Sequence, residues 1–197
     1  GTGLLGLCAA AAGGSVLLVD AHLKDFELLA AALAEGSHHF KLMSFGARGA
    51  DPAARTVLPP SILQGLVSAA PWTHDSAHNG SATLLARWQR RDAEIWGFNG
   101  LPLEMQWAAA TSYLAATVLL NAIANASSLD AAAIRDAVAK TTLSAADSPL
   151  GDLVFDGTGH ANTSFQVQQN LYSDGVYSTA LVYADGTIRR PLALLPP

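Results

Sequence analysis

The sequence predicts an α/β fold, a parallel sheet flanked by helices with a C-terminal β-rich segment. Three observations predict it. Two short β-rich runs, SVLLVD (15–20) and FKLMSF (40–45), bracket a segment of helical period. The middle of the chain is Ala-rich and helical in pattern. The last third breaks into short β-type segments separated by Gly and Asp.

The elements follow in order. SVLLVD is apolar, rich in β-formers and ends on an acid, as buried parallel strands do before a loop. In DFELLAAALAEG the residues Phe26, Leu29, Ala30 and Leu33 recur at helical spacing, with Asp25 to start the helix and Gly36 to stop it. FKLMSF is the next strand, and strand, helix, strand makes a βαβ unit the economical reading. Gly46 to Pro60 carries Gly, Asp and Pro signals and reads as a loop with one short helical turn. Leu63 to Ala70 (LQGLVSAA) is a third strand, closed by Pro71. PWTHDSAHNGS (71–81) is irregular until ATLLARWQRR resumes helical character. A long helix runs from about Leu103 to Ala126, and after a Ser127-Ser128 cap signal comes a second, LDAAAIRDAVAK. LVFD, SFQVQQNLY, STALVYADG and TIRRPL complete the chain as short strands.

With 197 residues, half of them hydrophobic and 14% charged, the chain can bury a sizeable core as one domain of ordinary size. A net charge of -5 and a pI near 5.6 provide no basic footprint for phosphate backbones, so nucleic acid is not an expected partner. Cys8 is the single cysteine, which excludes an internal disulfide and a thiolate cluster. Asn79, Asn125 and Asn162 each open an Asn-x-Ser/Thr sequon, an acceptor site if a eukaryotic chain is secreted. GTGLLGLCAAAAGG has neither an initiator Met nor a basic n-region and does not read as an intact signal peptide. Met105 to Leu129 is uncharged and long enough to span a bilayer. Its Gln, Thr, Ser and Asn residues and its lack of flanking Lys/Arg favour a buried amphipathic helix.

The motifs that could carry catalysis lack their context. His74-Asp75-Ser76-Ala77-His78 has the spacing of the zinc-hydrolase H-E-x-x-H pattern, which needs both imidazoles on one helix face. Pro71 and Asn79-Gly80 bracket it with turn signals, Asp is shorter than the usual Glu, and a third ligand would have to come from Glu27, Asp51, His160 or another residue that no motif marks. The segment reads as a loop, with a metal-dependent hydrolase using His74 and His78 as the alternative. His38 and His39 would point to opposite faces of a strand, and His160 in DGTGHAN reads as a turn residue. No G-x-S-x-G elbow is present. GTGLLG matches G-x-G-x-x-G without a preceding strand. No catalytic residue, metal or cofactor is therefore expected.

SPLGDLVFDGTGHANTSFQVQQNL, preceded by SYLAATVLLNAIANA and SLDAAAIRDAVAKTTL, resembles the C-terminal region of the type I periplasmic-binding proteins. This is the leucine/isoleucine/valine-binding class, with receptor ligand-binding regions among its relatives. The resemblance rests on an order of motifs. An aromatic-bearing helix leads to Asp130, Ile134, Arg135, Asp136 and Ala137, then Pro149 and Gly151, then Phe155, Asp156 and Gly159, then Gln168 on a strand. SVLLVDAHLKDFELLAAALAEG, KLMSFGA and LQGLVSAAPW match the family's cleft strands and its hinge-crossing strand, so the likeness runs from about Gly1 to Gly186. It implies a partial clamshell whose opening first-lobe strands are absent: 1–70 as a second-lobe βαβ core, 71–165 as the hinge crossing and first-lobe helices, and 166–197 as a hairpin returning to the second lobe.

In open parallel sheets, ligands bind beyond the carboxyl ends of the strands. That nominates Asp20, Ala21 and His22 after one strand, and Phe45, Gly46, Ala47 and Arg48 after the next. Asp20 can accept from an ammonium, Arg48 can pair a carboxylate bidentately, and Phe45 can supply an apolar wall. The resemblance implies a non-enzymatic module for a small amino-acid-like ligand. It would serve a solute-uptake or sensory receptor outside the cytoplasm, extracellular or periplasmic, partnered by a first lobe or a membrane protein.

Overall fold

The computed structural model describes residues 15–36, 39–50, 53–91, 104–163 and 165–193. GTGLLG, Cys8, His38 and Asp51 lie outside them. The described residues of Gly1–Ala70 and Phe165–Pro197 form one compact unit, and those of Pro71–Ser164 form a second.

The first unit is built on a mixed sheet of six strands in the order β1-β2-β3-β4-β5-β6. β1 (Val16–Leu18), β2 (Leu42–Ser44) and β3 (Val67–Ala70) are parallel, with Val16 opposite Leu42 and Ser44 opposite Val67. Helix α1 (Leu23–Glu35) makes the crossover between β1 and β2 and buries Phe26, Leu29, Ala30 and Leu33, the stripe its spacing predicts. That stripe shares a core cluster with Leu17 and Met43 of the sheet and with Phe45 and Leu66, which adjoin the ends of β2 and β3. Each Phe, Leu or Met side chain among them, fully buried, contributes about 1.5–3 kcal/mol. α1 begins two residues before the Asp25 expected to start it, with His22 at the N-cap. Asp25 Oδ2 instead accepts the His22 main-chain N–H at 3.2 Å.

Between β2 and β3 the chain is more helical than its Gly, Asp and Pro signals indicate. A 3-10 turn (Gly46–Ala50) is followed by two single-turn helices, α2 (Ala54–Val57) and α3 (Pro60–Leu63). Leu63 thus closes a helix, with Pro60 in its first turn, and is not part of the third strand.

β4 (Gln166–Ser173) lies antiparallel to β3, and β5 (Val176–Ala184) and β6 (Thr187–Ile188) continue the sheet as antiparallel neighbours. Both connections are Asp-Gly pairs with two consecutive positive φ values, 53° and 83° at Asp174-Gly175 and 51° and 74° at Asp185-Gly186. Two-residue turns of this hand match the twist of the flanking strands. Where β4 and β5 leave their hairpin, the Tyr172 and Tyr177 rings lie 4.6 Å apart, and burial raises the Tyr177 phenol pKa.

The second unit is helical. α4 (Asn79–Arg91) starts earlier than the predicted resumption at Ala82, because the His78 carbonyl already accepts from Ser81 and Ala82. α5 (Trp107–Ala126) begins inside the expected Leu103 boundary, and Ser127 ends it in the left-handed region at φ 53°. Among the described residues α5 is the one helix long and apolar enough to cross a membrane by length and composition. It buries Ala110, Leu114, Val118 and Ala122 and exposes Leu119 and Leu120.

α6 (Ala131–Lys140) is capped by Asp130, not by the Ser127-Ser128 pair. The Asp130 carboxylate accepts from Ala132 N at 3.0 Å and Ala133 N at 3.1 Å, and Ser128 Oγ accepts from Asp130 N. Asp130→Ala is expected to cost about 1 kcal/mol, measured as a lower thermal midpoint, with Asp130→Ser restoring most of it.

Candidate ligand-binding site

The two nominated loops meet at one end of the parallel strands. Val19 N donates to Ser44 O at 2.9 Å, extending the β1–β2 pairing to the last residue before Asp20. Gly46 then turns with φ +53°, and a Cβ there would lie 2.7 Å from Asp20 Oδ1. An L side chain is disfavoured by both the conformation and the contact, so glycine is what lets the second loop lie against the Asp20 carboxylate.

Asp20 and His22 are exposed on the first loop, while Gly46 and Arg48 are half-buried on the second. His22 also opens α1, its carbonyl accepting from Asp25 N and Phe26 N. Asp20 is therefore not the cap of that helix. The 3-10 turn is closed by the Phe45 carbonyl, which accepts from Arg48 N at 3.1 Å and Gly49 N at 3.2 Å. A carboxylate, an imidazole and a guanidinium thus sit on two adjacent loops, able to accept from an ammonium and to pair a carboxylate.

Phe45 does not join them. Its side chain is fully buried and stacked on Phe26, centroids 4.5 Å apart and planes 9° from parallel. The expected apolar wall is a core ring, and only its main chain reaches the loop. Period-2 alternation carried that signal, since Met43 and Phe45 fall on one face and Met43 is core.

The paired histidines sit in the second unit. His74 lies in a turn against Trp72, rings 4.9 Å apart, with Nε2 3.5 Å from Glu104 Oε1. The His78 ring packs on Gly151. Both precede α4, so the shared helix face that a zinc hydrolase needs is not formed. Among the described residues no group of three or more His, Cys, Asp or Glu side chains is placed to hold a metal ion.

FDGTGH is a hydrogen-bonded turn. Asp156 Oδ1 accepts from Thr158 N at 2.8 Å, Thr158 Oγ1 at 2.7 Å and His160 N at 2.9 Å. The Thr158 hydroxyl and the His160 and Thr158 amides hold its carboxyl below the usual aspartate pKa. Of the sequon residues, Asn79 and Asn125 are exposed in helices, and Asn162 Oδ1 accepts from Val154 N at 2.7 Å.

No protein-family model matches the sequence, and a sequence search of curated proteins finds no match. Solved structures do match. A leucine-binding protein from Thermotoga maritima aligns with a TM-score of 0.70 at 20% identity, over 92% of this chain and 48% of that one. A leucine-, isoleucine-, valine-, threonine- and alanine-binding protein from Brucella ovis, in a closed conformation, gives 0.70 at 15% identity over 96% and 48%. The fold is that of the type I periplasmic-binding proteins. An extracellular ligand-binding receptor from Rhodopseudomonas palustris is a further match, at 0.63 and 18% identity over 88% of this chain and 50% of that one. The chain spans about half the length of these solved structures.

Proposed function

We propose that the chain is a non-enzymatic ligand-binding module for a small amino-acid-like molecule, held beyond the carboxyl ends of β1 and β2. The observation that carries the reading is the contact of the Asp20 carboxylate with Gly46, which brings two loops to the place where open parallel sheets take ligands. Asp20 receives the ammonium, Arg48 the carboxylate, and His22 and Gly46 border them. The similarity to the leucine-binding protein of Thermotoga and the leucine-, isoleucine-, valine-, threonine- and alanine-binding protein of Brucella supports the amino-acid class.

The broader reading is that of a partial clamshell. Residues 1–70 and the hairpin 166–197 act as its second lobe, and 71–165 as the hinge crossing and helices of its first. The remaining half of a longer protein completes it, since the chain spans about half of its solved neighbours. Such a module serves a solute-uptake or sensory receptor with a membrane-protein partner, in the periplasm or outside the cell. There the exposed Asn79 and Asn125 are available as acceptors if the host glycosylates.

Titration with L-leucine, followed by NMR shifts and calorimetry, tests the site. Binding no tighter than about millimolar, about -4 kcal/mol, is expected of this half alone. Asp20→Asn should abolish the shifts at residues 20–22 and 46–48. Equal binding by Asp20→Asn would remove Asp20 from the site. Micromolar binding by a compact monomer would overturn the half-clamshell reading.

A further inference from the structure

We propose that Asn170, on β4, is the positioning residue of the Gly46–Ala50 turn, and through it of the ligand contacts at Gly46 and Arg48. The inference rests on the ligand-binding reading above. Asn170 is 3% exposed and joins three elements. Its main chain bonds both ways to the approach to β3, N–H to Leu66 O at 2.9 Å and carbonyl from Gly65 N–H at 2.8 Å. Its side chain reaches a third place: Nδ2 donates to Gly49 O at 2.9 Å in a buried bond across 121 residues of sequence.

Gly49 completes the arrangement. A Cβ there would lie 2.5 Å from Ser68 Oγ and 3.0 Å from Leu66 Cδ2, so the turn's backbone rests directly on β3. Ser68 Oγ is buried and finds no hydrogen-bond partner among the described residues, so it contributes contact rather than a bond. The turn is therefore anchored to the sheet by the Asn170 amide and by an approach that only glycine permits. Removing the amide hydrogen leaves the buried Gly49 carbonyl unpaired, an expense the turn avoids by lifting off the sheet. Gly46 and Arg48 would move with it, because they precede Gly49 in the same short turn.

Hydrogen exchange on the full chain tests this without a ligand. In Asn170→Asp, which keeps the shape but replaces the donor by a buried carboxyl group facing the Gly49 carbonyl, the Arg48 and Gly49 amides are expected to exchange at least about tenfold faster, equivalent to about 1.4 kcal/mol. The β4–β5 ladder from Asn170–Thr179 to Ser173–Val176 should be unchanged. Gly49→Ala, acting from the other side of the contact, should free the same amides if Asn170→Asp folds poorly. Faster exchange spread evenly over the ladder, or unchanged exchange at 48 and 49 in both variants, overturns the proposal.

L-leucine titration separates it from the reading it rests on. If the unaltered chain binds, Asn170→Asp should bind about tenfold more weakly. Unchanged affinity despite a loosened turn overturns the link to the site. A loosened turn in a chain that never binds leucine supports the positioning role and removes only the amino-acid reading.

Discussion

Replacing Phe45 by Ala is expected to lower the unfolding free energy of the first unit by about 3–5 kcal/mol, the range for emptying a buried aromatic site. Phe45 is fully buried, and its ring lies 4.5 Å from that of Phe26 in a cluster with Met43, Leu63 and Leu66. The stacked pair adds about 0.5–1.5 kcal/mol beyond area burial. Small domains have only about 5–15 kcal/mol in total, so the loss removes a large part of the unit's margin. Phe45→Leu keeps much of the volume but loses the stack, and should cost markedly less. Urea unfolding followed by circular dichroism measures both, read as separate transitions where the two units unfold separately. A ring that lined an open ligand wall would behave otherwise: Phe45→Ala would weaken leucine binding and leave the unfolding midpoint in place.

That contrast shows what could be read from the sequence and what could not. The α1 stripe was legible because Phe26, Leu29, Ala30 and Leu33 lie within one helix at its natural period. The two Asp-Gly turns were legible for a similar reason, being local chemistry with a single favoured geometry. Phe45 was half legible: strand alternation put it beside Met43, but its place at the end of β2 equally suited a cleft residue. The short helices before β3 were obscured because Gly, Asp and Pro mark turns without saying whether the turn is helical. Asn170 was not legible at all. Its side-chain bond joins residues 121 apart, and nothing in the pattern around either Gly49 or Asn170 names the other. Of the nominated residues, Asp20 and Gly46 lie close together, a proximity that nothing in the sequence around either residue states and that the backbone at Gly46 permits.

Gly80→Ala is the other large expected effect, and it falls on the second unit. Gly80 lies in the first turn of α4, with no positive φ, so Ala would by propensity alone favour the helix by about 1 kcal/mol. Packing decides the sign instead. A Cβ at Gly80 would collide with Ser148 O and lie 2.6 Å from its carbonyl carbon and 2.8 Å from its nitrogen, all main-chain atoms that cannot rotate away. Ser148 is itself pinned, its N–H donating to Ser144 O at 2.9 Å, while Ala145 N donates to Asp152 Oδ1 at 2.7 Å. Either the 144–152 segment moves, or α4 retreats. Retreat breaks Gly80 N to Ala145 O at 2.9 Å and draws Ser81 Oγ away from the buried Trp72 Nε1, now 2.7 Å apart. Overpacking of this kind costs about 3 kcal/mol or more, well above the propensity gain. Net of the propensity gain, about 2 kcal/mol remains, and with a urea slope of about 2 kcal/mol/M the midpoint of the second unit should fall by about 1 M. Gly157→Ala is the matched control, since a Cβ there meets nothing within 4 Å. If the two variants unfold at the same urea concentration, the contact between α4 and Ser148 is not the constraint that the geometry implies.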